Sequence, residues 1–135
     1  MSHKETTRIA EEFLARMGAG AAPDDIAALF STDLDFQIAG DVGALPWIGK
    51  RVGRSAVSDF VRDLRDLVEP IRFDVHDVLT NDSRAVILGE LASRSKRTGR
   101  TMETAFAFVL TVAGNEITQF RMLEDSFAVS RAARL

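Results

Sequence analysis

Apolar residues recur along this chain with two different periods, and the change of period divides it. From about Lys4 to Met17 they fall at Ile9, Phe13 and Met17, with Ala10 and Leu14 beside them. That is the stripe of an amphipathic helix, closed by Gly18 and Gly20. Pro23, Asp24 and Asp25 open a second helix, with Ile26, Leu29 and Phe30 as its buried face. Leu34, Phe36 and Ile38 then alternate with polar residues, which predicts a short strand over Asp33–Ala39. A loop rich in glycine follows, with Pro46 and Trp47 at its centre. Val57, Phe60, Val61, Leu64 and Val68 mark a third helix over Ser55–Val68, stopped by Pro70.

Beyond Pro70 the period becomes two. Ile71, Phe73 and Val75 alternate up to a turn at Asn81-Asp82. Ala85–Arg94 forms the next strand, Thr98-Gly99 the next turn, and Thr101–Val112 a long strand. Met102, Thr104, Phe106, Phe108 and Leu110 share one face of that long strand. Gly114-Asn115 turns again into Ile117–Leu123, and Ser126–Ala133 reads as a short helical tail. Three tight turns joining four strands predict an antiparallel meander. Helices segregated ahead of such a sheet indicate an α+β fold, and residues 1–135 are expected to form one domain.

Composition narrows the chemistry. At 46% apolar residues the chain can build a core, and a net charge of −3 lacks the basic stripe of a nucleic-acid surface. With no cysteine, disulfides, thiol catalysis and thiolate zinc sites are excluded. The start Met-Ser-His-Lys-Glu lacks the pattern of a signal peptide, and no apolar run reaches the length of a membrane span. A cytoplasmic setting without membrane contact is expected. There is no tyrosine, and the only histidines are His3 and His76, so few side chains are available to move protons.

Several short motifs carry a resemblance. They are Leu45-Pro46-Trp47-Ile48-Gly49, Val52-Gly53-Arg54-Ser55-Ala56-Val57, Thr98-Gly99-Arg100, Phe106-Ala107-Phe108-Val109, Asn115-Glu116-Ile117 and Leu123-Glu124-Asp125-Ser126. In this order and spacing they resemble the NTF2-like superfamily, and in particular its SnoaL-like proteins, over nearly the whole chain. The resemblance implies a cone in which a curved antiparallel sheet wraps three N-terminal helices and its mouth admits a small apolar molecule. It also implies a homodimer packed through the outer sheet face. Known members include polyketide cyclases, ketosteroid isomerases, epoxide hydrolases and dehydratases, and fold alone does not choose among them.

The residues argue against the familiar sites. A ketosteroid isomerase uses a carboxylate base with a tyrosine in its oxyanion hole. This chain has no tyrosine, and Ile38 and Ala39 stand where the base is expected, with Asp41 out of register. The epoxide hydrolases resemble an Asp-Arg-Asp set helped by Tyr and Asn, but Asn81 and Asn115 are the only asparagines, both in turns. SnoaL-type cyclases carry an Asp after an aromatic residue in the last strand, whereas here Arg121 follows Phe120.

Glu124, Glu90 and His76 remain as candidates for acid–base catalysis. Glu124 would face the cavity with a raised pKa, or else belong to the surface. Glu90 shares a strand face with Arg94, either at the pocket rim or toward solvent or a dimer partner. His76 has the parity opposite to Ile71, Phe73 and Val75 and is expected to face outward. By parity Glu103 faces outward too, and Asp125 or Ser126 suits a helix cap. Arg94, Lys96, Arg97 and Arg100 surround a hairpin tip, and Gly18 and Gly20 follow no strand and make no phosphate loop. Phe13, Met17, Phe36, Trp47, Phe60, Met102, Phe106, Phe108 and Met122 are the candidate pocket lining. No metal or cofactor motif is visible. The expected activity is cofactor-free isomerase, cyclase or hydrolase chemistry on an apolar molecule; the alternative is a non-catalytic ligand-binding or dimeric accessory module.

Overall fold

The computed structural model describes residues 2–135. Ser2 opens α1 (His3–Gly18) with a reciprocal cap: its hydroxyl accepts from the Glu5 N–H while the Glu5 carboxylate accepts from the Ser2 N–H. Ile9, Ala10 and Phe13 form the buried face of this helix. The short α2 (Pro23–Ala27) has proline in its first turn and two carboxylates at its positive end. It is tied to α3 (Ser55–Leu67) by Ser58 Oγ donating to Asp24 Oδ1 at 3.0 Å. At the end of α3 Val68 turns extended, and the chain enters the sheet without a loop.

The strands are β1 (Phe30–Ile38), β2 (Gly49–Val52), β3 (Val68–Thr80), β4 (Arg84–Ser95), β5 (Thr101–Ala113) and β6 (Glu116–Glu124). A final helix, α4, spans Ser126–Ala133. The strands make one curved, open sheet in the order β2-β1-β6-β5-β4-β3. The meander β3–β6 is antiparallel, with its turns where Asn81-Asp82, Thr98-Gly99 and Gly114-Asn115 stand.

Three features differ from the sequence expectation. β1 lies parallel to β6, so the sheet is mixed rather than wholly antiparallel. No turn connects these two strands, so no local signal sets their mutual direction. Gly49–Val52 forms a strand inside the glycine-rich loop, because Leu34–Ile38 leaves an edge with which it pairs. Phe30 starts β1 instead of ending a helix: Phe30 pairs with Ile117, and the Ile117 N–H donates to the Leu29 carbonyl at 2.9 Å. Arg54 fastens the same junction, donating to the Phe30 carbonyl at 2.9 Å and to Glu116 at 3.3 Å.

The concave face carries the core. Phe120 is stacked on Phe36 at 5.2 Å between ring centroids and meets Phe13, Phe30 and Phe108 edge-on or tilted. Each fully buried phenylalanine stabilises the fold by about 2 kcal/mol through removal from water. β3 bends over this core at two bulges, where Ile71 and His76 are the extra residues opposite β4. Gly89 sits at the second bend, close to the Asp74 carbonyl, with room for no side chain against Phe106.

Candidate functional site

Between the helices and the concave sheet lies a cavity of about 520 Å³, within the range of small-molecule sites. A larger depression, about 890 Å³, lies between the β4–β5 hairpin and α4, but it is an open surface groove with Ser130, Arg131 and Arg134 of α4 and its flank along it. The enclosed cavity is therefore the candidate site.

Each wall follows from an element already described. α1 supplies Phe13, Leu14 and Met17, and α3 supplies Phe60, Val61 and Leu64. β5 and β6 contribute Met102, Phe108 and Met122, whose parity points them inward. Trp47, from the loop between β1 and β2, meets Phe60 edge-on at 5.6 Å. That loop is latched to α4. Asp41 accepts from Ser130 Oγ at 2.6 Å and from Arg134 Nε at 2.7 Å, and these bonds, Arg134's first, hold its carboxyl at about 2.

Seven of the nine apolar residues named from the sequence thus line the cavity. Phe36 does not: it is buried behind Phe120, stacked flat upon it. Phe106 is covered by Phe73, whose ring lies 4.8 Å away and itself lines the cavity. Opposite Gly89, Phe106 fills the space that the missing Cβ leaves.

Glu124 is the last residue of β6. Its register partner is Phe106, and its half-buried side chain lines the cavity. The next residue fixes it in place: the Asp125 N–H donates to Thr104 Oγ1 at 2.7 Å, and the Asp125 carboxylate caps α4 by accepting from Ala128. The Glu124 carboxylate has no hydrogen-bond or ion-pair partner among the described residues. Burial alone raises its pKa, to about 7. A carboxyl that exchanges its proton near neutral pH inside an apolar cavity can act as either acid or base.

Glu90 and His76 lie elsewhere. They pair across β3 and β4, His76 Nε2 to Glu90 Oε2 at 3.7 Å, with both side chains more than half exposed. His76 thus lies on the outside of the sheet, at the second bulge of β3. Arg94 and Glu103 are exposed as well. Arg121, compared above with a cyclase base, also points away from the cavity: it donates to the Asp35 carboxylate at 2.8 Å on the convex face, and Met122 takes the inward position.

Sequence reasoning missed Arg65, Arg72 and Ser93, which with Glu124 make the polar part of the wall. Arg65 stands four residues after Val61, beside the apolar stripe of α3, so helical spacing could have placed it. Ser93 shares the parity of Ile87 and Leu91. Arg72 pairs with Ala92, on the face that carries Glu90 and Arg94, and its half-exposed side chain reaches the cavity only at the rim. Among the described residues, no group of three or more His, Asp or Glu side chains converges as a metal ligand set. Nor is any described helix long and apolar enough to cross a membrane.

A bent open sheet closed over helices around an apolar cavity, with the strand order found here, is the NTF2-like cone. The chain belongs to the SnoaL-like family, whose domain model matches residues 10–120. Among solved structures it is similar to an NTF2-like protein from Burkholderia xenovorans LB400, at 27% identity over 99% of both chains, with a TM-score of 0.88. TerC co-crystallised with polyporic acid is 16% identical, with 96% of this chain and 98% of that one covered and a TM-score of 0.81. A Catenulispora acidiphila protein of ketosteroid isomerase-like fold, in complex with trimethylamine, is 16% identical over 95% and 93% of the two chains, with a TM-score of 0.76. No curated protein matches the chain.

Proposed function

We propose that this protein binds an apolar small molecule in the cavity and moves a proton on it with Glu124, as a cofactor-free isomerase, cyclase or hydrolase. One observation carries the reading: Glu124 is the single acidic side chain on the cavity wall and has no partner there. A carboxyl held in this way is costly to the fold when ionised, and that cost is the usual mark of a functional group. Ligands seen in TerC and in the Catenulispora protein support use of such a cone for small molecules.

A thermal-shift screen of small carbonyl compounds identifies ligands, since binding to the folded state raises its apparent stability. Proton exchange at the acidic carbon of a hit is then followed by NMR in heavy water. Exchange by the wild type that Glu124→Gln abolishes, with binding retained, establishes the acid–base role. Binding without exchange in either protein overturns it and leaves a ligand-binding module. His76→Ala serves as control and leaves both properties unchanged.

The convex face supports a homodimer. Val86, Leu88, Ala107 and Val109 stand on neighbouring positions of β4 and β5, with Leu123 beside them on β6. Sedimentation of the wild type against Val109→Arg tests this, and a monomeric wild type refutes it. The lack of cysteine suits the reducing cytoplasm in which we place the protein.

A further inference from the structure

Arg65 lies in the last turn of α3, exposed to solvent where it lines the mouth of the cavity. A cation there complements the helix dipole, which accounts for its sign. Solvent faces the guanidinium there, and no described anionic side chain is paired with it. Among the described residues the Arg65 side chain makes no hydrogen bond or ion pair; only its backbone carbonyl is engaged, by Lys96 Nζ at 3.0 Å. The second cation on the wall, Arg72, differs, because Asp74 holds it at 3.3 Å. The remaining polar lining consists of Ser93 and Glu124, and the rest is predominantly apolar. A guanidinium with five donors and no acceptor, placed beside an apolar hollow, is completed by a planar oxyanion.

We infer that the cavity selects a carboxylate-bearing ligand, whose apolar body fills the hollow and whose carboxylate pairs with Arg65. This deepens the reading of the cavity as a small-molecule site and rests on it. It also gives the two ionisable ends separate tasks: Arg65 holds the ligand's charge, and Glu124 faces its uncharged body. Arg65 is a positioning residue, since it does not touch the atoms that exchange a proton.

The test uses the full chain with 1-naphthoate and 1-naphthamide, which share a ring and differ in charge. Binding is followed by calorimetry and by the fluorescence of Trp47, the only tryptophan and a cavity residue. The wild type is expected to bind the carboxylate about tenfold tighter than the amide. Arg65→Gln removes that preference while leaving amide binding intact, which also shows that the cavity has folded. Arg72→Gln changes the preference less, and added salt weakens it because Arg65 is exposed at the cavity mouth. Equal binding of the two probes by the wild type overturns anion selection and leaves the cavity reading standing. A preference that survives Arg65→Gln overturns the assignment to Arg65. If neither probe binds, both the inference and the small-molecule reading beneath it fail. Should Arg65→Gln bind neither probe, Arg65→Met and the salt dependence of the wild type decide the matter.

Discussion

Replacing Glu124 with glutamine keeps the size of the side chain and removes its charge, so the exchange isolates the energetic cost of placing a carboxylate in the cavity. In the unfolded chain the group ionises near 4.5, whereas in the folded protein burial raises it to about 7. Between these values the folded state holds a proton that the unfolded state has released, so wild-type stability falls as pH rises through that window. Below the window both states are protonated and the cost vanishes; above it the cost is fully developed. At about 1.4 kcal/mol per pH unit, the difference amounts to about 3 kcal/mol at most. Water reaching a half-buried carboxylate reduces it, and about 2 kcal/mol is expected. Glutamine does not titrate, so Glu124→Gln should be more stable than wild type by that amount near pH 8, and nearly equal to it near pH 4.5. Urea unfolding at the two pH values, followed by Trp47 fluorescence and circular dichroism, should show midpoints about 1 M apart in the first case and nearly coincident in the second. A difference independent of pH, or a variant weakened at high pH, would refute the reasoning. Either result would mean that the Glu124 charge is already compensated in the folded protein.

Two further outcomes follow from packing and from the latch. Gly89→Ala would bring Cβ to 2.8 Å from Phe106 Cζ and into the Asp74 carbonyl. Backbone cannot swing aside as a side chain can, so a loss of about 3 kcal/mol is expected in urea unfolding, and a loss below about 1 kcal/mol would contradict the bend described here. Asp41→Ala frees the loop carrying Trp47 from Ser130 and Arg134. Amide protection in that loop should fall about tenfold with little change in global stability. Because the folded Asp41 carboxyl titrates at about 2, below its ordinary value, the wild-type latch should hold down through mildly acidic pH and release only as pH falls toward about 2. Full protection retained in the variant would show that the loop is held by other contacts.

Much of this protein was legible from alternation and spacing. Period two in Met102–Leu110 places Met102 and Phe108 on the inner face, and turn residues divide the meander where the hairpins fall. The helical stripe placed Phe13 and Phe60 on buried faces, since side chains four apart share one side of a helix. These are local properties, decided within a few residues by backbone geometry and by the removal of apolar groups from water.

Other features depended on partners distant in sequence. The parallel pairing of β1 with β6 joins residues from the two ends of the chain. The bulges in β3, with Ile71 and His76 as extra residues, arise where that strand pairs with β4. Phe36 and Phe106 have the inward parity of cavity residues, yet they are covered by Phe120 and Phe73, because parity states a direction and not what lies in it. The sequence by itself determined which residues make strands and helices and the inward parity of the residues that became the wall. Only the tertiary structure decided that Glu124 and Arg65 stand unpaired on that wall, because a missing partner is a property of everything folded around a side chain.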